Sequence, residues 1–258
     1  MSFFFRGGKE EPRSSMNPWP LLKYPWVHIE IPVGGEWDVT IHDATLRVHD
    51  GEMLIIKPGV MHRLRKATDG TMTTLYALMS WMRRGSDVIT SYRFPSVLPE
   101  ETGMKVLPIL RKLIANAQQQ GLAFSAREQE LGFTLLEVLS VHASADDESS
   151  DEPRIASALD HIDMYWNTTI RRETLAQMTG LSPSRFHSVF QKATGFAPLE
   201  YITAIRLQHA CDMLASTKRS IGDIASACGF TSVYYFSRCF SSHKKITPSA
   251  YREGQREE

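Results

Sequence analysis

Between residues 26 and 94, apolar and polar positions alternate along the chain. Val27, Ile29 and Ile31 are separated by His28 and Glu30; Trp37, Val39 and Ile41 are separated by Asp38 and Thr40; Leu46, Val48 and Met53–Ile56 follow. A two-residue period belongs to strands that bury one face. Turn residues interrupt these runs at Pro32–Gly35, His42-Asp43, Asp50-Gly51, Pro58-Gly59 and Asp69-Gly70. Short strands with turns every ~8–12 residues specify an antiparallel sandwich or barrel. The last run, Thr73 to Phe94, is expected to break near Arg83-Arg84-Gly85. The period then changes. Leu107, Leu110, Leu113, Ile114 and Ala117 recur at three and four, as do Leu131, Leu135, Val138 and Leu139, which predicts two amphipathic helices over 104–142. Pro108 is expected in the first turn of the first helix, where a missing N–H costs little.

Residues 144–153 carry acids, serines and a proline and no apolar side chain larger than alanine, so they read as a solvated linker. Beyond them the strand signal is gone. Ile155, Leu159, Ile162 and Trp166 form an amphipathic stripe, and short helical runs alternate with Gly, Ser and Pro. The organisation expected is an N-terminal arm (1–20), a β-barrel (21–95), a helical segment (96–143), the linker (144–153) and an all-α domain (154–258). As a fold class this is multidomain α+β.

Formal net charge is zero, but the halves differ. Residues 1–153 carry 16 Lys and Arg against 20 Asp and Glu, whereas residues 154–258 carry 13 against 9. Only the second half is suited to meet a polyanion. No run of eighteen apolar residues occurs, which excludes a membrane-spanning helix of ordinary length. Met1–Gly8 lacks the apolar core and cleavage site of a secretory signal, and three cysteines without CxxC spacing (Cys211, Cys228, Cys239) suit a reducing compartment. The expectation is a cytoplasmic protein.

The most informative feature is an internal repeat. Leu175-Ala176, Gly180-Leu181-Ser182, Phe186, Phe190, Gly195, Pro198 and Tyr201 recur as Ile224-Ala225, Gly229-Phe230-Thr231, Phe236, Phe240, Lys245, Pro248 and Tyr251. The offset is 49 residues up to the Ser/Thr and 50 afterwards. Each copy has a small Ala for close helix crossing, a Gly for a left-handed turn, a hydroxyl N-cap and a helix pinned by two Phe. That is helix-turn-helix grammar, written twice and joined by an apolar helix over Pro198–Ser216. In the first second-helix, Ser184, Arg185, His187, Ser188, Gln191 and Lys192 are left facing outward; in the second, Val233, Tyr234, Ser237, Arg238 and Ser241 are.

The run Ser220–Phe240, closing with Thr247-Pro-Ser-Ala-Tyr-Arg252, resembles the C-terminal motif of the AraC/XylS transcription regulators, and the resemblance covers about residues 154–252. It implies two recognition helices in successive major grooves of double-stranded promoter DNA. Base-reading positions carried over by that match are Ser184, His187 and Ser188, then Val233, Tyr234, Ser237 and Arg238. Arg238 stands out because its fork can bind guanine O6 and N7 together. Lys245 departs from the family, which usually has Gly there.

The first domain offers candidate ligand groups. Asp50–His62 resembles the second half of a cupin motif, and His28, His42, His49 and His62 invite a metal reading. The His-x-His pair that metal-binding cupins carry upstream is missing, so no metal and no cofactor are expected; His62 and Trp37 are taken as effector contacts instead. Leu107, Leu110, Leu113 and Ile114 are the expected dimer interface, on the argument that two helical stripes exceed what one barrel can cover. The reading is a homodimeric, effector-controlled regulator that acts on promoter DNA and RNA polymerase and is not an enzyme. A cupin-type metalloenzyme with a DNA-binding tail and an effector-independent activator are the alternatives.

Overall fold

A computed structural model of the chain describes residues 1–254 apart from residues 20, 84, 85, 118, 120, 146–154 and 245, and the chain divides into two compact units, 1–153 and 154–258. In the first unit, β1 (Ser2–Arg13), β7 (Met72–Arg83), β2 (Val27–Val33), β5 (Met53–Ile56) and β10 (Val97–Leu98) line up in that order, with β8 (Ser86–Asp87) paired to the end of β7. A second sheet has the order β4 (Ala44–Val48), β3 (Trp37–Ile41), β6 (His62–Lys66). Trp37, Val39, Val48 and Leu64 of the small sheet share one core with Leu54, Ile56 and Met72 of the large sheet. The other face of the large sheet, with Val27, Ile29, Ile31, Leu75, Ala77, Met79 and Trp81, is covered by α1 (Glu100–Asn116) and α2 (Leu122–Ser140).

Strand β2 therefore has two covered faces. The alternation of Val27, Ile29 and Ile31 with His28 and Glu30 predicts a solvated polar face, yet His28 and Glu30 are buried. The polar parity points between the sheets; the apolar parity points at the helices.

Three expectations are corrected at this level. Residues 1–20 contribute a strand rather than a free arm: β1 pairs with β7 from Ser2↔Met82 to Arg13↔Met72, with a register shift at Phe5/Gly7. Its free edge is held by α2, where the Gln129 side chain accepts from Phe3 N (2.9 Å) and donates to Phe3 O (2.6 Å) and Glu128 accepts from Phe5 N (3.2 Å). Helix α1 begins at Glu100, so Pro108 sits inside it rather than in its first turn. Ser144–Ala145, expected to open the linker, form a short strand β11 paired with β9 (Tyr92–Arg93). The expected break near Arg83-Arg84-Gly85 and the rest of the linker fall partly or wholly outside the described residues, as does Lys245.

The second unit comprises α3 (Ala156–Tyr165), α4 (Arg172–Met178), α5 (Pro183–Thr194), α6 (Pro198–Ser216), α7 (Ile221–Ala227), α8 (Val233–Lys244) and α9 (Pro248–Gly254). The repeat of the sequence is a repeat of structure. Ala176 and Ala225 are buried, Gly180 (φ 67°) and Gly229 (φ 75°) make the left-handed turns, and Phe186–Phe190 and Phe236–Phe240 pack with ring centroids 5.3 and 5.7 Å apart. Tyr201 meets Phe190 edge-on at 5.4 Å, and Tyr251 meets Phe240 in the same way at 5.5 Å.

The caps refine the repeat. Ser182 Oγ accepts from Arg185 N in the first copy, but in the second the acceptor is Ser232 Oγ, from Tyr235 N at 3.0 Å, and not the expected Thr231. The inserted residue thus lies in the turn, before the cap. A side chain reaching from N-cap to N3 needs that fixed spacing, so the helix starts where the hydroxyl can reach.

Candidate nucleic-acid interface and sensor interior

Helices α5 and α8 are amphipathic, and the burial of their Phe pairs fixes which face is left over. Ser184, Arg185, Ser188, Gln191 and Lys192 are exposed on α5, with His187 half-buried; Val233, Tyr234 and Arg238 are exposed on α8, with Ser237 and Ser241 half-buried. None of these eleven positions is buried. Tyr234 is 78% exposed, whereas Tyr235 packs beside Phe230 at 6.1 Å and lies under the Arg238 guanidinium, 5.6 Å from its ring centroid. A guanidinium stacked on a ring is held in a defined plane with its N–H groups directed away. Sequence reasoning missed Arg172. It lies on α4, the supporting helix, and with Ser182, Pro183, Ser184 and His187 it lines an open cleft of about 570 Å³ at the N-terminus of α5. A helix N-terminus with an adjacent arginine is a suitable seat for a phosphate.

Two backbone clasps order this unit around α6. Arg206 donates from Nε to Trp166 O (2.7 Å) and from Nη2 to Thr168 O (2.6 Å), tying the α3–α4 connection to α6. Gly229 packs against the same connection so closely that a Cβ there would lie 2.5 Å from Asn167 O. Glycine is required at this position twice over, by its φ and by its neighbour.

In the first unit, Trp37 and His62 are both fully buried between the sheets. They belong to one hydrogen-bonded chain. Trp37 Nε1–H donates to Thr74 Oγ1 (3.3 Å), and Thr74 O–H donates to Glu30 Oε1. Glu30 Oε2 lies 3.1 Å from His28 Nε2, His28 Nδ1 lies 2.9 Å from His62 Nε2, and His62 Nδ1 lies 3.0 Å from Val60 O. Tyr24 flanks both imidazoles, at 5.3 and 6.2 Å, and Trp19 packs on Trp37 at 5.4 Å. Burial pushes Glu30 up to about 8 and both His28 and His62 down to about 3.

The four histidines thus separate into two kinds. His28 and His62 meet in the interior, while His42 occupies the β3–β4 turn with positive φ and His49 pairs with Glu36 at the surface (2.8 Å). Among the described residues no group of three or more His, Cys, Asp and Glu converges in a way that would hold a metal ion. Glu30, absent from the sequence-derived site, was signalled only by an acid and an imidazole placed two apart in a Val/Ile strand, and Thr74, within β7, by nothing local.

The expected dimer interface is corrected. Leu107, Leu110 and Leu113 are buried in their own chain's core with Trp81 and Leu135, and Ile114 is half-buried against it. The stripe is already covered, because β1 widens the sheet that the helices sit on.

The chain is thus a sheet sandwich capped by two helices, followed by two helix-turn-helix copies. Two family models match in that order: an AraC-like ligand binding domain over residues 23–136 and a helix-turn-helix domain over residues 175–254. In both halves the chain is therefore similar to AraC-family regulators. It is 35% identical over 93 residues to the MmsAB operon regulatory protein of Pseudomonas aeruginosa, covering 36% of this chain and 30% of that one. It is 28% identical over 225 residues to the transcriptional activator RhaR of Pectobacterium atrosepticum, covering 82% and 78%. The chain spans about a third of the length of the curated relatives that it matches at 34–35% identity. In fold it is similar to ToxT of Vibrio cholerae bound to (E)-4-(8-methylnaphthalen-1-yl)but-3-enoic acid, with a TM-score of 0.67 at 14% identity over 99% of this chain and 100% of that one. Among the described residues no helix is long and apolar enough to cross a membrane.

Proposed function

We propose that the chain is a sequence-specific, DNA-binding transcription regulator. The 154–258 unit binds double-stranded promoter DNA, and the 1–153 unit takes a small-molecule effector, a sugar or other small metabolite. The observation that carries the reading is the pair of outward polar faces on α5 and α8, each braced by the same Phe–Tyr packing. α6, with 19 residues, is about 28 Å long, near the roughly 34 Å of one DNA turn, which supports readout of successive major grooves on one side of the duplex. Regulation would act on RNA polymerase at the promoter, in the cytoplasm, with two chains acting together through surfaces other than the covered leucine stripe. No catalytic step is part of this reading. A metal centre is not favoured, because His28 and His62 spend their facing nitrogens on each other.

Selection of genomic DNA fragments by the purified full chain is expected to enrich a bipartite site with half-sites about 10 base pairs apart. Retention of no fragment in a salt-dependent manner would overturn the proposal.

A further inference from the structure

The chain of hydrogen bonds between the sheets has a proton count that its geometry dictates. Val60 O can only accept, so His62 carries its proton on Nδ1 and presents a bare Nε2. That nitrogen must receive a hydrogen, so His28 is protonated on Nδ1. One hydrogen is then needed between His28 Nε2 and Glu30 Oε2, 3.1 Å apart. It sits on the carboxyl or on the imidazole; either way the pair holds one proton and the cluster is neutral. At the far end Glu30 Oε1 accepts from Thr74, whose oxygen accepts from Trp37. The chain starts and ends on the small sheet, at Trp37 and His62, and runs through Thr74, Glu30 and His28 of the large one, so its two end bonds, Trp37–Thr74 and His28–His62, join the sheets.

We propose that this chain is a proton-operated latch between the two sheets of the sensor domain, closed while Glu30 and His28 share one proton and opened when that proton leaves. Loss of the proton leaves the chain one hydrogen short: the carboxylate draws the His28 hydrogen to Nε2, and a bare His28 Nδ1 then faces the bare His62 Nε2, at the junction that joins the two sheets. The surroundings decide when this happens. From β1, Arg13 favours the carboxylate and Glu11 stands opposite Thr74; from β7, Tyr76 stands opposite Glu30; from β6, buried Lys66 donates to Gly70 O; from the segment before β2, Tyr24 flanks both rings. From β5 only Leu54 and Ile56 stand opposite Glu30 and His28. Burial outweighs Arg13, so Glu30 keeps its proton up to about pH 8. The latch is therefore shut at neutral pH and poised to open just above it. On the reading of the first unit as the effector domain, opening would loosen the gap between Trp37 and His62 on one wall and Glu30 on the other.

The sign of the pH dependence follows. From pH 4.5 to about 8 the unfolded chain has released the Glu30 proton while the fold retains it, so stability falls as pH rises through that interval. Below 6.5 the unfolded histidines take up protons that His28 and His62 refuse down to about 3, so stability falls again toward acid. The first unit is expected to be most stable near pH 6.5.

Glu30→Gln tests the latch on the full chain. The amide can accept from Thr74 and donate to His28 as the protonated acid does, with nothing to lose. Thermal unfolding followed by tryptophan fluorescence, which reports mainly the first unit, should show a midpoint that falls between pH 6.5 and 8 in the wild type but rises slightly and then levels off in E30Q, where only the histidines still contribute. An E30Q midpoint that falls as the wild type's does would overturn the proposal. Nitrogen-15 histidine spectra of the wild type at pH 6 supply a second test, independent of whether the variant folds. His62 should be neutral with its proton on Nδ1; a proton on Nε2 alone, or a ring titrating near 6.5, would overturn it. Neither test uses DNA or effector, so their failure would leave the regulatory reading standing and its failure would leave the latch standing.

Discussion

Arg238 shows how much a single position can say when a repeat supports it. Its place two residues from Phe236 and two from Phe240 puts it on the outer side of α8, and the structure adds the Tyr235 ring beneath its guanidinium. Arg238→Ala is expected to cost about 1–3 kcal/mol at one base pair of the second half-site and little elsewhere, as in the loss of a bidentate guanine contact. Titration of operator variants at two salt concentrations checks this; a uniform loss with a salt slope shallower by about one would reduce Arg238 to a phosphate contact. The glycines give a second contrast. Around Gly180 nothing lies within 4 Å of an added Cβ, so Gly180→Ala should cost about 1 kcal/mol through its φ alone. Gly229→Ala adds a collision with the Asn167 backbone and should cost several times as much, measured as the difference between the two unfolding midpoints. Both glycines could be read in the sequence as turns. The second constraint on Gly229 could not, since Asn167 is far away along the chain and leaves no periodic trace.

Hydrophobic period told strands from helices and located their apolar faces, and where it failed the reason is the same each time. It reports that a face is apolar, not what covers it. The leucine stripe of α1 was expected to seek a second chain, but it meets the large sheet, which β1 widens. β1 was missed because Phe3 and Phe5 stand among Arg6, Gly7, Gly8 and Lys9 without a sustained alternation, and the register shift at Phe5/Gly7 breaks the count. His28 and Glu30 were read as the wet side of β2 because an alternating strand ordinarily has one. The helix-turn-helix copies were legible almost in full, since their turns, caps and Phe pairs are all local in sequence. A consequence at this scale is that Leu113→Ala should behave as a core truncation, destabilising the first unit by about 2–5 kcal/mol in denaturant unfolding. Dissociation to folded single chains in sedimentation, with unfolding unchanged, would return the residue to an interface.

At the level of the whole molecule, two units with separate cores imply separable functions. Residues 154–258, with their excess of basic over acidic side chains, should bind operator DNA without the first unit. With roughly six phosphate contacts, log affinity should fall against log salt with a slope of about −5, measured by fluorescence anisotropy. An isolated unit that folds but shows no salt-dependent binding would place essential contacts in residues 1–153. The first unit closes on itself in a different sense. Phe3 is seated against Gly132 and Trp81 and shares its backbone hydrogen bonds with Gln129, 126 residues further on. During synthesis at about 5–20 residues per second, that partner is made on the order of ten seconds after Phe3. Phe3–Phe5 thus wait first for β7 and then for α2 to cover them, a short exposed aromatic run in the meantime. A segment made so long before its partners is among the last to find its place.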